Sequence, residues 1–331
     1  VSGGTFSATG GLVIDSLTGE IDLSTATAGN YQVSYIPLNN TSQIGTSLIG
    51  DSTEYYTGIS LSLSNSGTRL AVGSIGKWSS YSGRGKVRVY DFIGNNWVQI
   101  GSDINGVGSD HFGYQLSLNS DGNILAISAR NGSMIRIFKY INSNWVQMGV
   151  DFTGTAIGTS LSISDDGNII AFSDKYPNNG TTWEGSVRIY NWSGSVWNQL
   201  GNDLSDVPGG YFGASISLSG DGSRIAIKRS ANQYSTPFGT VVDTGRVLIY
   251  DWDGTSWNRF GNDIIDDTYY MQSSIDAASP RNNTISISND GSRVVVGGNN
   301  NVKIFEISNG VWSKLGPTIT ADSVNSLHPE R

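Results

Sequence analysis

The chain has 331 residues, a net charge of −8 and a pI near 4.7, with 43 glycines, 7 prolines and no cysteine. Without cysteine there is no disulfide framework, thiolate zinc site or cysteine nucleophile. Two histidines, His111 and His328, cannot build a histidine-rich metal centre. An acidic chain lacks the basic face that a phosphate backbone requires, and no stretch nears the roughly 18 consecutive apolar residues of a membrane helix. Neither nucleic acid nor membrane insertion is therefore expected.

The chain opens at Val1 without a charged and then apolar leader, which reads as a processed protein or a piece of a longer one. Residues 1–38 form an N-terminal β segment, residues 39–320 a repeat array, and 321–331 a polar tail. Within the first part, Gly29 to Leu48 aligns with Gly85 to Ile104 at a constant offset of 56. Asn39-Asn40 matches Asn95-Asn96, Gln43-Ile44-Gly45 matches Gln99-Ile100-Gly101, and Thr41 stands where Trp97 does. This alignment makes the N-terminus a degenerate repeat.

Further along, Trp97, Trp145, Trp197, Trp257 and Trp312 recur 48, 52, 60 and 55 residues apart, each followed by glycine four residues on. Ahead of each lies an alternating phrase, as in Val87-Arg88-Val89-Tyr90 and Val187-Arg188-Ile189-Tyr190. Further upstream, pairs such as Ser215-Ile216-Ser217-Leu218-Ser219 and Ile225-Ala226-Ile227 flank a glycine turn: Ser66-Gly67, Asp121-Gly122, Asp166-Gly167, Asp221-Gly222 and Asp290-Gly291. Period-two alternation marks strands, and Asp-Gly between two such runs marks a hairpin. Each repeat thus holds four short strands, a to d, and no window has helical period. Four-stranded units repeated at about 50 residues predict an all-β fold, a β-propeller of five clear blades and a degenerate sixth from the N-terminus.

With Phe112-Gly113 and Phe212-Gly213 ahead of alternating strands, then Leu70-Ala71-Val72-Gly73 and Gly85 to Tyr90, the pattern resembles FG-GAP-type propellers, the group that includes the integrin α-chain head. The resemblance covers about residues 42–319. It does not carry over calcium, because the Asp-x-Asp-x-Asp-Gly loops of the calcium-binding version are missing; the nearest remnant is Asp251-Trp252-Asp253-Gly254. Residues 4–35 also resemble the end of a bacterial immunoglobulin-like adhesin repeat, so the N-terminus has two open readings. The resemblance implies an exported protein at the cell surface or on a virion.

In an up-and-down blade the b–c and d–a connections share one end. The b–c connections vary in length, being long at Ser74 to Arg84, Asp174 to Glu184 and Arg229 to Thr244, and variation on one face of a repeat array marks a binding face. They carry Trp78, Tyr81, Tyr176, Trp183, Tyr234 and Phe238; the d–a connections add Tyr55, Tyr56, Tyr269 and Tyr270. These ten rings are the candidate ligand contacts, suited to a surface glycan or protein. The recurrent Asp103, Asp151, Asp203 and Asp263 read as structural, because one residue in one place of four repeats is scaffold. Arg88, Arg136, Arg188 and Lys303 are expected to pair or stack between blades. The acid pairs Asp266-Asp267, Asp110 beside His111, and Glu54 beside Tyr55 are the groups that could do acid–base work. The expected function is a non-enzymatic extracellular adhesion module without cofactor, metal or catalytic residue, capable of self-association. The alternatives are a structural surface, filament or virion subunit, and a polysaccharide-acting enzyme.

Overall fold

The computed structural model describes residues 4–8, 13–14, 21–22, 33–37, 43–50, 56–75, 84–107, 110–129, 134–154, 157–174, 185–206, 212–230, 232–236, 239–243, 245–266, 285–298 and 301–320. No helix occurs among them. The chain divides into two compact units, Val1–Thr46 and Ser47–Arg331. In the first, Gly4–Ala8 pairs antiparallel with Val33–Pro37, and Val13–Ile14 with Ile21–Asp22.

The second unit holds five antiparallel sheets, each running a-b-c-d in chain order. Blade 1 is Ser60–Leu63, Arg69–Ser74, Lys86–Ile93 and Asn96–Asn105. Blade 2 is Phe112–Leu118, Ile124–Ala129, Met134–Ile141 and Asn144–Gln147. Blade 3 is Ile157–Ile163, Ile169–Asp174, Ser186–Trp192 and Trp197–Gln199. Blade 4 is Phe212–Leu218, Arg224–Arg229, Gly245–Trp252 and Trp257–Arg259. Blade 5 is Ile285–Ile287, Arg293–Gly298, Asn301–Ser308 and Val311–Lys314. One connection departs from the sequence reading. The b–c excursion of blade 4 is not an irregular loop but a second hairpin, Asn232–Thr236 against Gly239–Asp243, because its alternating residues satisfy their backbone groups by pairing.

The a–b turns are built alike. Their glycines, at 67, 122, 167, 222 and 291, have φ between 68° and 75°, a region that side chains with a Cβ avoid. The aspartate before the glycine accepts the backbone N–H two residues on, as Asp121 does from Asn123 and Asp221 from Ser223. Neighbouring turns are then tied in series: Asn65 N–H donates to Ser120 O, Ser120 to Asp165, Asp165 to Gly220, and Gly220 to Asn289.

Blades pack face to face. Ala71, Val87 and Val89 on the front of blade 1 meet Leu116, Leu118, Leu125 and Ile127 on the back of blade 2. Three further clusters repeat this between blades 2 and 3, 3 and 4, and 4 and 5. The small serines of strand a stitch adjoining inner strands: Leu118 N–H donates to Ser62 Oγ, Leu218 N–H to Ser162 Oγ and Ile287 N–H to Ser217 Oγ. The repeated tryptophan lies over the glycine four residues after the tryptophan of the preceding blade, and a Cβ there would press into the indole: Gly101 under Trp145, Gly149 under Trp197, Gly201 under Trp257 and Gly261 under Trp312. Three of these indoles donate to the carbonyl just before that glycine, on Met148, Leu200 and Phe260. Tryptophan and glycine four residues apart are therefore a single packing device, each half belonging to a different interface.

Candidate functional site

The recurrent aspartates join strand d to strand c. Arg88 Nε donates to Asp103 Oδ1 at 3.1 Å and Gln99 to the same oxygen at 2.8 Å. Arg136 and Gln147 hold Asp151, and Arg188 and Gln199 hold Asp203, in the same way. Burial opposes ionisation of Asp103 and Asp151, but these donors outweigh it and hold both carboxyls below the ordinary value of 3.8. The structural role expected of these aspartates thus has a side-chain basis. The recurrent arginines pair within their own blade rather than between blades, because the Asp fifteen residues on folds back beside them.

Of the ten aromatic candidates, Tyr56 is described: it is exposed and has φ 55°. Tyr234 lies on the extra hairpin, paired with Val241. Tyr55, Trp78, Tyr81, Tyr176, Trp183, Phe238, Tyr269 and Tyr270 lie outside the described residues, as do Glu54 and Asp267. Asp266 ends a short strand against strand c of blade 4. Asp110 is buried and holds its own turn, accepting from Val107 N–H at 2.8 Å and Phe112 N–H at 3.2 Å. The calcium-like remnant is closed by protein donors: Asp251 pairs with Arg224, and Asp253 accepts from Thr255, Ser256 and Asn258. Among the described residues no three His, Asp or Glu side chains stand close enough to hold a metal ion.

A different group of residues stands out where the blade pattern is broken. Strand b ends at the b–c side in Ser74, Ala129, Asp174, Arg229 and Gly298, paired across the sheet with Lys86, Met134, Ser186, Arg246 and Asn301. The residues just before are Gly73, Ser128, Ser173, Lys228 and Gly297. Blades 1, 2 and 5 are small and uncharged at the end of strand b; blades 3 and 4 bury charge there. Asp174 is 2% exposed, and Lys228 and Arg229 are each 1% exposed. In sequence, Asp174 and Arg229 stand at the starts of the long b–c connections. They belong to strand b because each continues the pairing with strand c.

Asp174, Arg229 and Arg246 each have an opposite charge close by, and Lys228 meets a backbone carbonyl. Arg188 bridges Asp174 at 3.0 Å and Asp203 at 3.1 Å. Arg229 Nε lies 3.4 Å from Asp206, which crosses over from blade 3. Lys228 donates to Gly297 O at 3.0 Å, and Arg246 to Asp263 at 3.2 Å, with Arg259 also on Asp263. Arg229 and Arg246 sit opposite each other on neighbouring strands, so two guanidinium groups share one side of blade 4. Burying ions costs several kcal/mol each before pairing returns it, and three other blades hold together without them. Charge in this place is therefore not a requirement of the scaffold.

No protein-family model and no curated protein matches the sequence. Solved structures do resemble it. A candidate 6-phosphogluconolactonase from Bacteroides uniformis superposes with a TM-score of 0.56 over 87% of this chain and 75% of its own, at 12% identity. A Lactobacillus plantarum protein gives 0.55 over 97% and 83%, also at 12% identity. The chain is a β-propeller. A second candidate 6-phosphogluconolactonase, from Bacteroides fragilis, gives 0.50 over 97% and 96%, at 14% identity. At such identities the propeller fold is what is shared. The expectation of a non-enzymatic adhesion module, with its structural-subunit and polysaccharide-enzyme alternatives, is corrected here: the named propellers that this arrangement of sheets resembles are candidate lactonases.

Proposed function

We propose that the propeller is an enzyme that hydrolyses a small anionic lactone or ester derived from a sugar, at the b–c end of blades 3 and 4. The observation that carries this reading is the buried charge at the end of strand b in those two blades, where the other three have Ser, Ala or Gly. Hydrolysis of a lactone needs a group to deprotonate water and a cation to meet the negative charge that develops on the carbonyl oxygen. In this reading Asp206, partly exposed beside Arg229, is the base. Arg246 and Arg188, with side chains 30% and 23% exposed, meet the substrate's anionic groups. The likeness to candidate 6-phosphogluconolactonases supports the substrate class by its chemistry, a phosphorylated sugar lactone.

Descent from FG-GAP-type propellers belongs to the same proposal. It is supported by the way Phe-Gly is used: Phe112 and Phe212 are fully buried, and a Cβ on Gly85 or Gly185 would collide with the Phe112 or Phe212 backbone. An exported location is likewise proposed, on the family resemblance, and cell fractionation tests it.

The function is tested by following opening of 6-phosphogluconolactone and of unphosphorylated δ-gluconolactone against their spontaneous hydrolysis. Turnover by the wild type, a fall in kcat of at least about a hundredfold in Asp206→Asn, and a raised KM for the phosphorylated substrate in Arg246→Gln are the expected results. Rates equal to the spontaneous ones with both lactones would refute the proposal.

A further inference from the structure

When glycine follows asparagine or aspartate, its backbone nitrogen can attack the side-chain carbonyl carbon and close a cyclic imide; no Cβ on the glycine crowds the approach. The chain carries such pairs repeatedly, and the fold treats them differently. At the a–b turns the attacking nitrogen is engaged: Gly122 N–H donates to Asn119 O, Gly167 to Ser164, Gly222 to Ser219 and Gly291 to Ser288. The carboxylates of Asp121, Asp166, Asp221 and Asp290 are each held by the N–H two residues on. At Asn105-Gly106 the Gly106 N–H donates to Gly85 O. At Asp253-Gly254 the carboxylate accepts from Thr255, Ser256 and Asn258, and an ionised carboxylate offers no good leaving group. Asn131-Gly132 and Asn179-Gly180 lie outside the described residues. Asn309-Gly310 has none of these restraints. The two residues are the whole tip of the c–d hairpin of blade 5, between the paired Ser308 and Val311. Their φ values are 50° and 77°, positive at both positions as a type I′ turn requires. Both are exposed, and among the described residues neither the Asn309 amide nor the Gly310 N–H makes a hydrogen bond. A Cβ on Gly310 would meet nothing within 4 Å, so a ring has room there. The c–d tip of blade 2, Asn142-Ser143, has similar φ values of 49° and 62°, but there a side chain stands on the attacking residue.

We propose that Asn309 is a modification site, converting spontaneously to aspartate and isoaspartate. The Gly310 nitrogen bonds to Asn309 Cγ and gives up its proton to solvent base, while the Cγ–Nδ2 bond breaks and ammonia leaves. Water then opens the imide at either carbonyl, giving aspartate or isoaspartate. Water is the only co-reactant. Both products add a negative charge. Isoaspartate also routes the main chain through Cβ, which lengthens a tip of only two residues. Strand d is not free to take up that slack, because Trp312 is fixed to blade 4: its N–H donates to Asn262 Oδ1 at 2.7 Å and its Nε1 to Phe260 O at 3.3 Å. Ageing therefore loosens the fifth blade where it joins the fourth.

Peptide mapping by mass spectrometry tests this on the full chain, held folded at mildly alkaline pH and sampled over days. Asn309 is expected to convert, with isoaspartate among its products, while Asn105 and Asn142 stay intact. In urea Asn105 should convert as well, since unfolding releases the Gly106 N–H from Gly85 O. Asn309→Gln should lose the conversion at this tip. The isoaspartate-containing fraction should melt below fresh protein by circular dichroism. Asn309→Asp, which has the charge without the longer main chain, should melt as fresh protein does. A folded chain whose Asn309 stays intact while a synthetic peptide of residues 305–314 converts overturns the proposal. So does folded-state conversion of Asn105 at the same rate, because the hydrogen bond at Gly106 would then make no difference. Aspartate as the sole product rules out the imide, and an isoaspartate fraction that melts with fresh protein rules out the loosening.

Discussion

Trp145 and Trp197 hold the same place in consecutive blades, and replacing each by phenylalanine compares their hydrogen bonding. Both indoles are half-buried, both rest on a glycine of the preceding blade, and both pack against an aromatic neighbour with centroids 5.1 Å apart, Tyr140 at 45° and Trp192 at 49°. Trp197 also faces Phe152, at 6.2 Å between centroids, so its packing loss is the larger by that one contact. The polar part differs as well: Trp197 Nε1 donates to Met148 O at 3.1 Å, whereas the buried Nε1 of Trp145 has no acceptor among the described residues. Trp197→Phe forfeits a net hydrogen bond of about 0.5–1.5 kcal/mol, while Trp145→Phe removes an orphan donor whose burial costs about 1–3 kcal/mol. Taking the low end of both ranges, because the rings are half-exposed, Trp145→Phe should be the milder by about 1.5 kcal/mol, a little over tenfold in the folding equilibrium. Urea unfolding followed by far-ultraviolet circular dichroism avoids reading a signal that the substitutions themselves change. The comparison holds if the two variants unfold with equal m-values. Equal destabilisation, or a costlier Trp145→Phe, would refute the account of the repeated indole as a hydrogen-bonded clasp.

Two further outcomes follow from the turns and their glycines. Gly94 and Gly149 have φ of 56° and 75°, but a Cβ at Gly94 meets open space whereas one at Gly149 lies 2.9 Å from the Trp197 ring. Alanine at 94 should cost about 1–2 kcal/mol from backbone conformation alone, and alanine at 149 a further 1–3 kcal/mol or so from overpacking; similar urea midpoints would contradict the interlocked tryptophan and glycine. The turn carboxyls of Asp121, Asp166 and Asp221 are raised by burial but lowered more by the hydrogen bonds they accept, and that of the exposed Asp290 is lowered to about 2. Their folded values lie below the unfolded ones, so the unfolded chain takes up protons first as pH falls. Their contribution should be complete above about pH 5 and lost on acidification through the folded values. The urea midpoint should thus be level from neutrality to about pH 5 and fall towards pH 2; a midpoint unchanged down to pH 2 would rule this out.

Most of the architecture could be read from the chain because each blade repeats its own instructions. Asp-Gly at a turn, Ser-x-Ser on strand a and Trp with Gly four residues later all act through local geometry or through an identical neighbour. The recurrent arginines were harder to place. Sequence shows that Arg88 and Asp103 both recur, but not that strand d folds the carboxylate back onto its own blade. Asp174 and Arg229 read as loop residues in sequence because a charge at the end of an apolar run looks like the end of a strand. Aligning the five b strands residue by residue would have exposed them as departures from Ser, Ala and Gly. The extra hairpin at 232–243 is hard to read for a related reason: its alternation is short and polar, while its strands pair along their length.

Gly220 stands where the other inner turns have Asn65, Ser120, Asp165 and Asn289. It leaves room for the Asn289 amide to reach past it to the Asp165 carboxylate at 3.0 Å, a space that a Cβ would fill. That reach makes the repeats non-interchangeable. A duplication or recombination that inserted, deleted or swapped a unit between the third and the fifth would separate the amide from its acceptor, or place a side chain in its path. Whatever copying events first lengthened this array, its fourth unit has since become fixed in position, the partner of two neighbours that meet only because it offers nothing beyond its backbone.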